Sequence, residues 1–363
     1  MTRFTKGVSL AFILLSANLS ADSIFNQTNL ASDISGLAAN LDPNLKNPWG
    51  VSFTATSPFW VSNQVTNTAT LYNATGVPQA LVVTTPPGPT GQVANGGTGF
   101  ELTAGNPARF IFSSLSGTVS GWNPAVAATT AVTKFTATDG AAYTGLASAT
   151  VNGSTFLYAA DTANGKIDVL NSNFQKVSLS GSFMDPQVPS SFHPYNIQLI
   201  GNMLYVTYSI RDTPGGYVGV FDLNGNLVQH ISDSHFDEPW GLVVAPPTFG
   251  TFGNALLVGN EGNGIINGFN PTTGTWLGTI SGASGPLVNE GLWALEFRAG
   301  GSTFDPNALY FVAGINDEAN GLFGTITPAA VPEPATLWTS ALVLSLLVVQ
   351  RRSATRRQNG KPS

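Results

Sequence analysis

The sequence predicts an all-β fold, a six-bladed β-propeller of four-stranded blades. The first observation behind this is a sixfold repeat whose units start about 45 to 53 residues apart. The second is that each unit strings together short runs rich in β-branched and aromatic residues, punctuated by Gly, Pro and Asn turns. The third is composition. With 40 Gly, 23 Pro and 9% charged residues the chain is poor in charge, yet 42% is hydrophobic, so a sizeable core can be buried and disorder is excluded.

Taken in order, the chain opens with Arg3 and Lys6, an apolar stretch "GVSLAFILLSA" and a small residue at Ala21. A positive flank before a short apolar run reads as a secretory signal peptide over 1–21, with the mature chain starting near Asp22. Residues 22–328 form the propeller. Its first residues, "SIFNQTNLASDI", are expected to supply an outer strand to the last blade, which closes the ring and removes exposed strand edges.

The six units align on Gly50, Gly99, Gly145, Asn196, Gly241 and Ala294. Each opens on a run such as "NPWGVSF" or "EPWGLVV" and continues through a second, apolar strand ("FWVSN", "RFIFS", "FLYAA", "MLYVTY", "ALLVGN", "LYFVAG"). A polar Gly-rich turn leads to a third ("TLYN", "TVSGW", "KIDVL", "YVGVF", "IINGF", "LFGTI"), usually followed by a fourth. Four short strands per repeat is the grammar of a propeller blade. A pair of β-sandwiches is the competing architecture, and it does not predict this recurring order.

Charge and cysteine usage narrow the function. Seven of the 14 Lys and Arg lie in the two ends (Arg3, Lys6, Arg351, Arg352, Arg356, Arg357, Lys361), against one acidic residue, Glu333. Residues 22–330 keep seven basic and 19 acidic residues, a net of −12, which excludes the basic footprint of a nucleic-acid binder. The absence of cysteine removes disulfides, thiolate metal sites and cysteine nucleophiles.

Within the body, "LYAADTANGKIDVLN" (157–171) resembles an NHL repeat, and the two Pro-Trp-Gly openings resemble the start of the same repeat. Through "DPNLKNPWG" (42–50) the whole chain is similar to a family of uncharacterised secreted bacterial proteins, a resemblance that specifies no activity. In such propellers the turn between strands two and three shares a face with the start of strand one. That face is expected to collect Asp161, Arg211, Asp212, Glu261, Asp317 and Glu318 from the turns, and Asn47, Trp49, Tyr143, His193, Asn196, Glu238, Trp240, Glu290 and Trp293 from the strand starts.

Carboxylates around one channel mouth, with tryptophans beside them, suit a Ca²⁺ ion or a polyhydroxylated ligand. Asp161 reads equally as a turn residue capping backbone N–H groups, as do Glu261 and Asp317 in equivalent turns. The three tryptophans read as packing between blades. Gluconolactonase-like six-bladed enzymes hold a divalent metal with a Glu, two Asn and an Asp inside the channel, a set that Glu261, Asn63, Asn196 and Asp161 could imitate, with no order established among them. Glycine-rich "GNEGNGIINGFN" lacks the Lys-Ser/Thr and helix of a phosphate loop. His193, His230 and His235 read as surface loop residues, and no Ser-His-Asp set assembles without arbitrary choice.

Residues 329–363 form the tail. The apolar run 335–349 spans roughly 22 Å as a helix, short of a hydrocarbon core of about 30 Å. Trp338 would lie at one interface and Arg351 and Arg352 at the cytoplasmic one, so the span is a single short transmembrane helix and a marginal anchor. Val331, Pro332, Glu333 and Pro334, the helix and the basic stop occur in the order of a PEP-CTERM sorting signal, which this tail resembles. That resemblance implies an exosortase as partner, transient inner-membrane anchoring in a Gram-negative bacterium, and delivery to the cell surface or extracellular matrix. The expected function is therefore an exported binding module for extracellular polysaccharide or surface proteins, with no assignable catalysis. A metal-dependent hydrolase or lactonase of the six-bladed type is the alternative.

Overall fold

The computed structural model describes residues 24–298 and 303–329. Six antiparallel sheets stand around a central axis, each numbering its strands outward. Blade one comprises Pro48–Ser52, Phe59–Asn63, Thr68–Tyr72 and Val83–Thr84. Blade two comprises Pro89–Ala94, Phe110–Ser114, Thr118–Trp122 and Val132–Thr136. Blade three runs through Tyr143–Val151, Ser154–Asp161, Lys166–Leu170 and Lys176–Val177. Blade four runs through His193–Ile200, Met203–Ile210, Thr213–Phe221 and Leu227–Ile231. Pro239–Val244, Leu256–Asn260, Ile266–Phe269 and Trp276–Thr279 make blade five.

Blade six takes three strands from the end of the described chain, Leu292–Phe297, Leu309–Ala313 and Leu322–Pro328, and its fourth from the beginning, Phe25–Ser32. Phe25 pairs with Pro328 and Ser32 with Leu322, so the expected outer strand closes the ring. Successive inner strands touch one another all the way round, including the first and the last.

Strand burial follows from this geometry. Second strands such as Phe59–Asn63 and Phe110–Ser114 are buried at every residue because a neighbouring blade covers each face. Outer strands such as Val132–Thr136 and Trp276–Thr279 are open on one side and only partly buried. The described core divides into clusters that lie between blades. Trp60, Phe110, Phe112 and Trp122 join blades one and two, and Tyr310, Phe323, Phe59 and Tyr72 join six and one.

One repeat is phased differently from its sequence reading. The inner strand of blade two is Pro89–Ala94, so Gly91 and not Gly99 holds the aligned position. The stretch after Gly99 forms an inserted hairpin, Glu101–Thr103 with Asn106–Pro107. The reason is steric. A Cβ at Gly50 would lie 2.4 Å from Thr90 O, one at Gly91 2.3 Å from Leu146 N, and one at Gly145 2.3 Å from Asn196 Oδ1. Inner strands crowd together at this level of the axis, and a glycine is what admits the next strand.

Among the described residues no helix is long and apolar enough to cross a membrane. The signal segment 1–21, the sorting motif at Val331, Pro332, Glu333 and Pro334, the apolar run and Arg351 and Arg352 all lie outside the described residues.

Candidate functional site

The residue preceding the crowded position points to the axis. In blades one, four, five and six it is aromatic: Trp49, Tyr195, Trp240 and Trp293, all buried. Trp49 and Trp293 stack at 3.6 Å and 18°, while Trp49 meets Trp240 and Tyr195 edge-on, each at 6.3 Å. Blades one and four are opposite in a ring of six, so the Trp49–Tyr195 contact spans the channel. The tryptophans, read from sequence as packing between blades, do pack blade against blade, and they do so on the axis as a plug. Thr90 and Thr144 occupy the remaining two positions and turn their hydroxyls to Tyr143 O and Thr162 Oγ1. Trp293 Nε1 donates to Asn47 Oδ1 at 2.9 Å, but Trp49 Nε1, Trp240 Nε1 and the Tyr195 hydroxyl are buried without a partner.

Beside the plug, on the face formed by the turns between strands two and three, lies a pocket of about 310 Å³. Blade four contributes Arg211 and Asp212, blade five Glu261, and blade six Asp317 and Glu318, with Glu290 from the segment leading into blade six. One guanidinium faces five carboxyl groups. Arg211 bonds Glu318 Oε1 at 2.5 Å, Asn47 Nδ2 donates to Glu318 Oε2 at 2.8 Å, and Asp317 N donates to Glu290 Oε1 at 2.8 Å. Asn47, Asp212, Glu238, Asn316, Asp317 and Glu318 all have φ between 44° and 62°, a left-handed conformation that costs non-glycine residues energy and gathers here around one mouth.

Glu238, only 4% exposed, adjoins the group: Glu261 N donates to Glu238 O at 2.9 Å, and the charge of the Glu238 carboxyl acts on that of Glu261. Two adjacent carboxylates in a buried site cannot both ionise freely. Burial first, then the charges of Glu238 and Glu318, push Glu261 up to about 8, with Arg211 opposing. Burial also raises Glu238, against a stabilising N–H from Asp212. Glu261 therefore holds its proton near neutral pH beside a second buried carboxyl group. Tyr195, whose hydroxyl is raised well above its ordinary range by burial and then by Glu261, ties this pocket to the plug.

The residues singled out from the sequence separate into groups. Glu261 and Asp317 line the acidic pocket, while Asp161, Asn63 and Asn196 do not. Asp161, fully buried in blade three, accepts from Ala142 N and Asn164 N at 3.2 Å and from Asn164 Nδ2 at 2.8 Å. Its carboxylate approaches those of Asp139 and Asp168 closely enough to hold an ion. Two lysines already stand among them. Lys166 Nζ is 2.5 Å from Asp139 and 3.6 Å from both Asp161 and Asp168, and Lys176 Nζ is 2.7 Å from Asp168. Asn63 donates to Thr68 and Thr70 hydroxyls, and Asn196 Nδ2 to Trp240 O, tying blade four to blade five.

Two of the three histidines depart from the surface-loop reading, while His235 lies in a partly exposed turn, as expected. His193 begins the inner strand of blade four and His230 lies in its outer strand, 2.7 Å from Asp185. His235 stacks flat on Trp276 at 4.0 Å and bonds Asp233. Sequence reasoning missed Glu296 and Arg298. Glu296 lies within the inner strand of blade six and Arg298 directly follows it, so a charge inside the apolar run "LWALEF" was the available signal.

No family model matches the chain. Uncharacterized protein R648 of Acanthamoeba polyphaga mimivirus is 30% identical over 325 residues, covering 82% of this chain and 78% of its own. Uncharacterized protein L690 of the same virus is also 30% identical over 325 residues, covering 82% and 84%. Among solved structures, a catalytically inactive virginiamycin B lyase from Staphylococcus aureus with quinupristin aligns at TM-score 0.52 and 12% identity, over 84% of this chain and 100% of that one. A streptogramin B lyase structure aligns at 0.50 and 11%, over 84% and 98%. At such identities the likeness is one of fold.

Proposed function

The chain belongs to the family of the mimivirus proteins R648 and L690, and within it we propose a binding module that offers its acidic pocket to a positively charged partner. The observation that carries this reading is the plug. Trp49, Tyr195, Trp240 and Trp293 fill the axis of the ring, so a substrate has no through-channel to enter, whereas the pocket beside them is open and strongly acidic. Five carboxyl groups against Arg211 favour Ca²⁺, or the ammonium groups of an aminated polysaccharide or a basic surface protein. In this reading the tail is an address. An exosortase cuts near the motif at 331–334 and releases the propeller to the surface or matrix of a Gram-negative cell.

Calorimetry of the purified protein with Ca²⁺ and with a chitosan oligomer tests the pocket. Saturable binding of either, weakened roughly tenfold or more in Glu318→Gln, supports the reading. Absence of binding by both, or binding indifferent to Glu318 and Glu261, overturns it. Mass spectrometry of exported protein tests the address, since mature material retaining residues beyond about 334 would contradict processing there.

A metal-dependent hydrolase of the six-bladed type is the second reading. What favours it is the adjoining Glu238 and Glu261, two carboxyl groups whose hold on a proton burial strengthens, the kind of pair that acid–base chemistry uses. Metal-stimulated opening of a lactone, abolished by Glu261→Gln, would establish it over the binding module.

A further inference from the structure

The plug occupies one end of the channel only. Toward the opposite face the inner strands enclose a cavity of about 240 Å³, continuous through shared residues with a narrow space of about 20 Å³ that reaches Trp240. Because inner strands start at the acidic face and end at the other, this cavity opens where Phe53, Ala94 and Ser148 lie and is blind where the tryptophans stack. It is separate from the acidic pocket and shares no lining residue with it.

Its chemistry is one-sided. Gln92, 5% exposed, donates from Nε2 to Gly50 O at 2.6 Å and to Trp60 O at 2.7 Å. Those two bonds orient the amide and leave Oε1 as a buried acceptor with no partner, in a side chain that lines both parts of the cavity. Ser52 Oγ is a second buried polar atom without a partner. From the inner strand of blade six Glu296 lines both parts of the same cavity, as does Gln198 from blade four. Lysine, arginine and histidine are absent from the lining, and Glu296 is its one titratable residue. A buried acceptor left unmade costs free energy that a ligand donor recovers.

We propose that the lower channel is a second ligand site, taking a small primary ammonium between the Glu296 carboxylate and Gln92 Oε1. An ammonium brings three donors and no acceptor, which complements a carboxylate, an amide oxygen and a hydroxyl. The cavity is at or below the small end of ordinary ligand pockets, roughly 300 Å³, so the alkyl part must be short. Burial holds the empty Glu296 up to about 8, with the Gln198 bond opposing. The lining residues from the other inner strands, among them Val51, Gln92, Leu146 and Gln198, are not titratable, so one group sets the pH response. Below that pH a cation must displace the proton, and binding therefore releases about one proton per ammonium.

The probe is propylammonium chloride, titrated into the purified full chain by calorimetry at pH 6, 7 and 8 in buffers of different ionisation heat. Tetramethylammonium, which has no donor, is the control. The expected result is saturable binding whose apparent affinity drops roughly tenfold per pH unit from 8 to 6. Release of about one proton accompanies it. Glu296→Gln, which keeps the shape and so the fold, abolishes it, and Ala94→Phe, at the mouth, weakens it. No saturable heat at ligand concentrations on the order of 50 mM at pH 8 overturns the proposal. So does binding that persists in Glu296→Gln, which would belong to the acidic face, or equal binding of tetramethylammonium.

Discussion

The indole of Trp49 lies flat on that of Trp293, 3.6 Å away, and so joins the first blade to the last at the axis. Asn47, two residues before Trp49, accepts the Trp293 Nε1 hydrogen at 2.9 Å and donates to Glu318 in the acidic pocket. Ring closure and pocket geometry therefore share one contact. Trp293→Ala is expected to cost about 3–5 kcal/mol in urea denaturation, as large buried aromatics do. Leu277→Ala, at an exposed outer-strand position, should stay within about 0.5 kcal/mol. Equal effects of the two would show that the stack contributes little.

The strand Phe25–Ser32 closes the ring from outside by pairing with Leu322–Pro328. Deleting 24–32 leaves the edge of blade six unpaired and uncovers Ile326 and Phe311. Loss of solubility, seen by light scattering, and a broadened thermal transition are expected, because an open apolar edge is a template for pairing with other chains. A monomeric, sharply melting deletion variant would refute this.

Stability should fall as pH rises from about 4.5 to 8. Glu261 and Glu296 are both pushed up to about 8 by burial, so across that window the folded chain holds protons that the unfolded chain has released. The contribution is complete below the unfolded value and is progressively lost until the folded value is passed. Glu296→Gln should remove roughly half of this slope in a series of melting temperatures. An unchanged slope would mean that its carboxyl does not titrate as described.

Lys166 and Lys176 stand where a cation would sit among Asp139, Asp161 and Asp168. Replacing both lysines by Met leaves three carboxylates facing one another. The double variant should lose about 1–3 kcal/mol at low salt. Millimolar Ca²⁺ should restore a large part of it, while leaving the melting temperature of the native protein unchanged at this cluster. A double variant indifferent to Ca²⁺ would show that the carboxylates relax apart instead.

The strands were legible because their signals are local. "FLYAAD" and "KIDVL" pair as Ser154–Asp161 and Lys166–Leu170, with Asp161 opposite Lys166 across the turn. Phasing was harder in blade two. "GTGFEL" has the glycines of an opening motif, but the inner strand is "PTGQVA", chosen because Gly91 lets Leu146 approach. Nothing within "PTGQVA" announces a contact with a residue 55 positions later.

The candidate site divides along the same line. Residue type and turn position brought Glu261 and Asp317 to one face, and the pairs Arg211–Glu318 and Glu238–Glu261 arose from how blades four, five and six converge. Glu296 looked like one charge in an apolar strand and became a lumen carboxyl only when Gln92 and Gln198 were brought around it from two other blades. By itself the sequence determined the strand grammar, the sixfold count and the acidic balance of the body, since each depends on residues close together along the chain. Tertiary structure alone decided that three tryptophans and a tyrosine meet on the axis, because only ring closure brings inner strands from opposite blades within a side chain's reach.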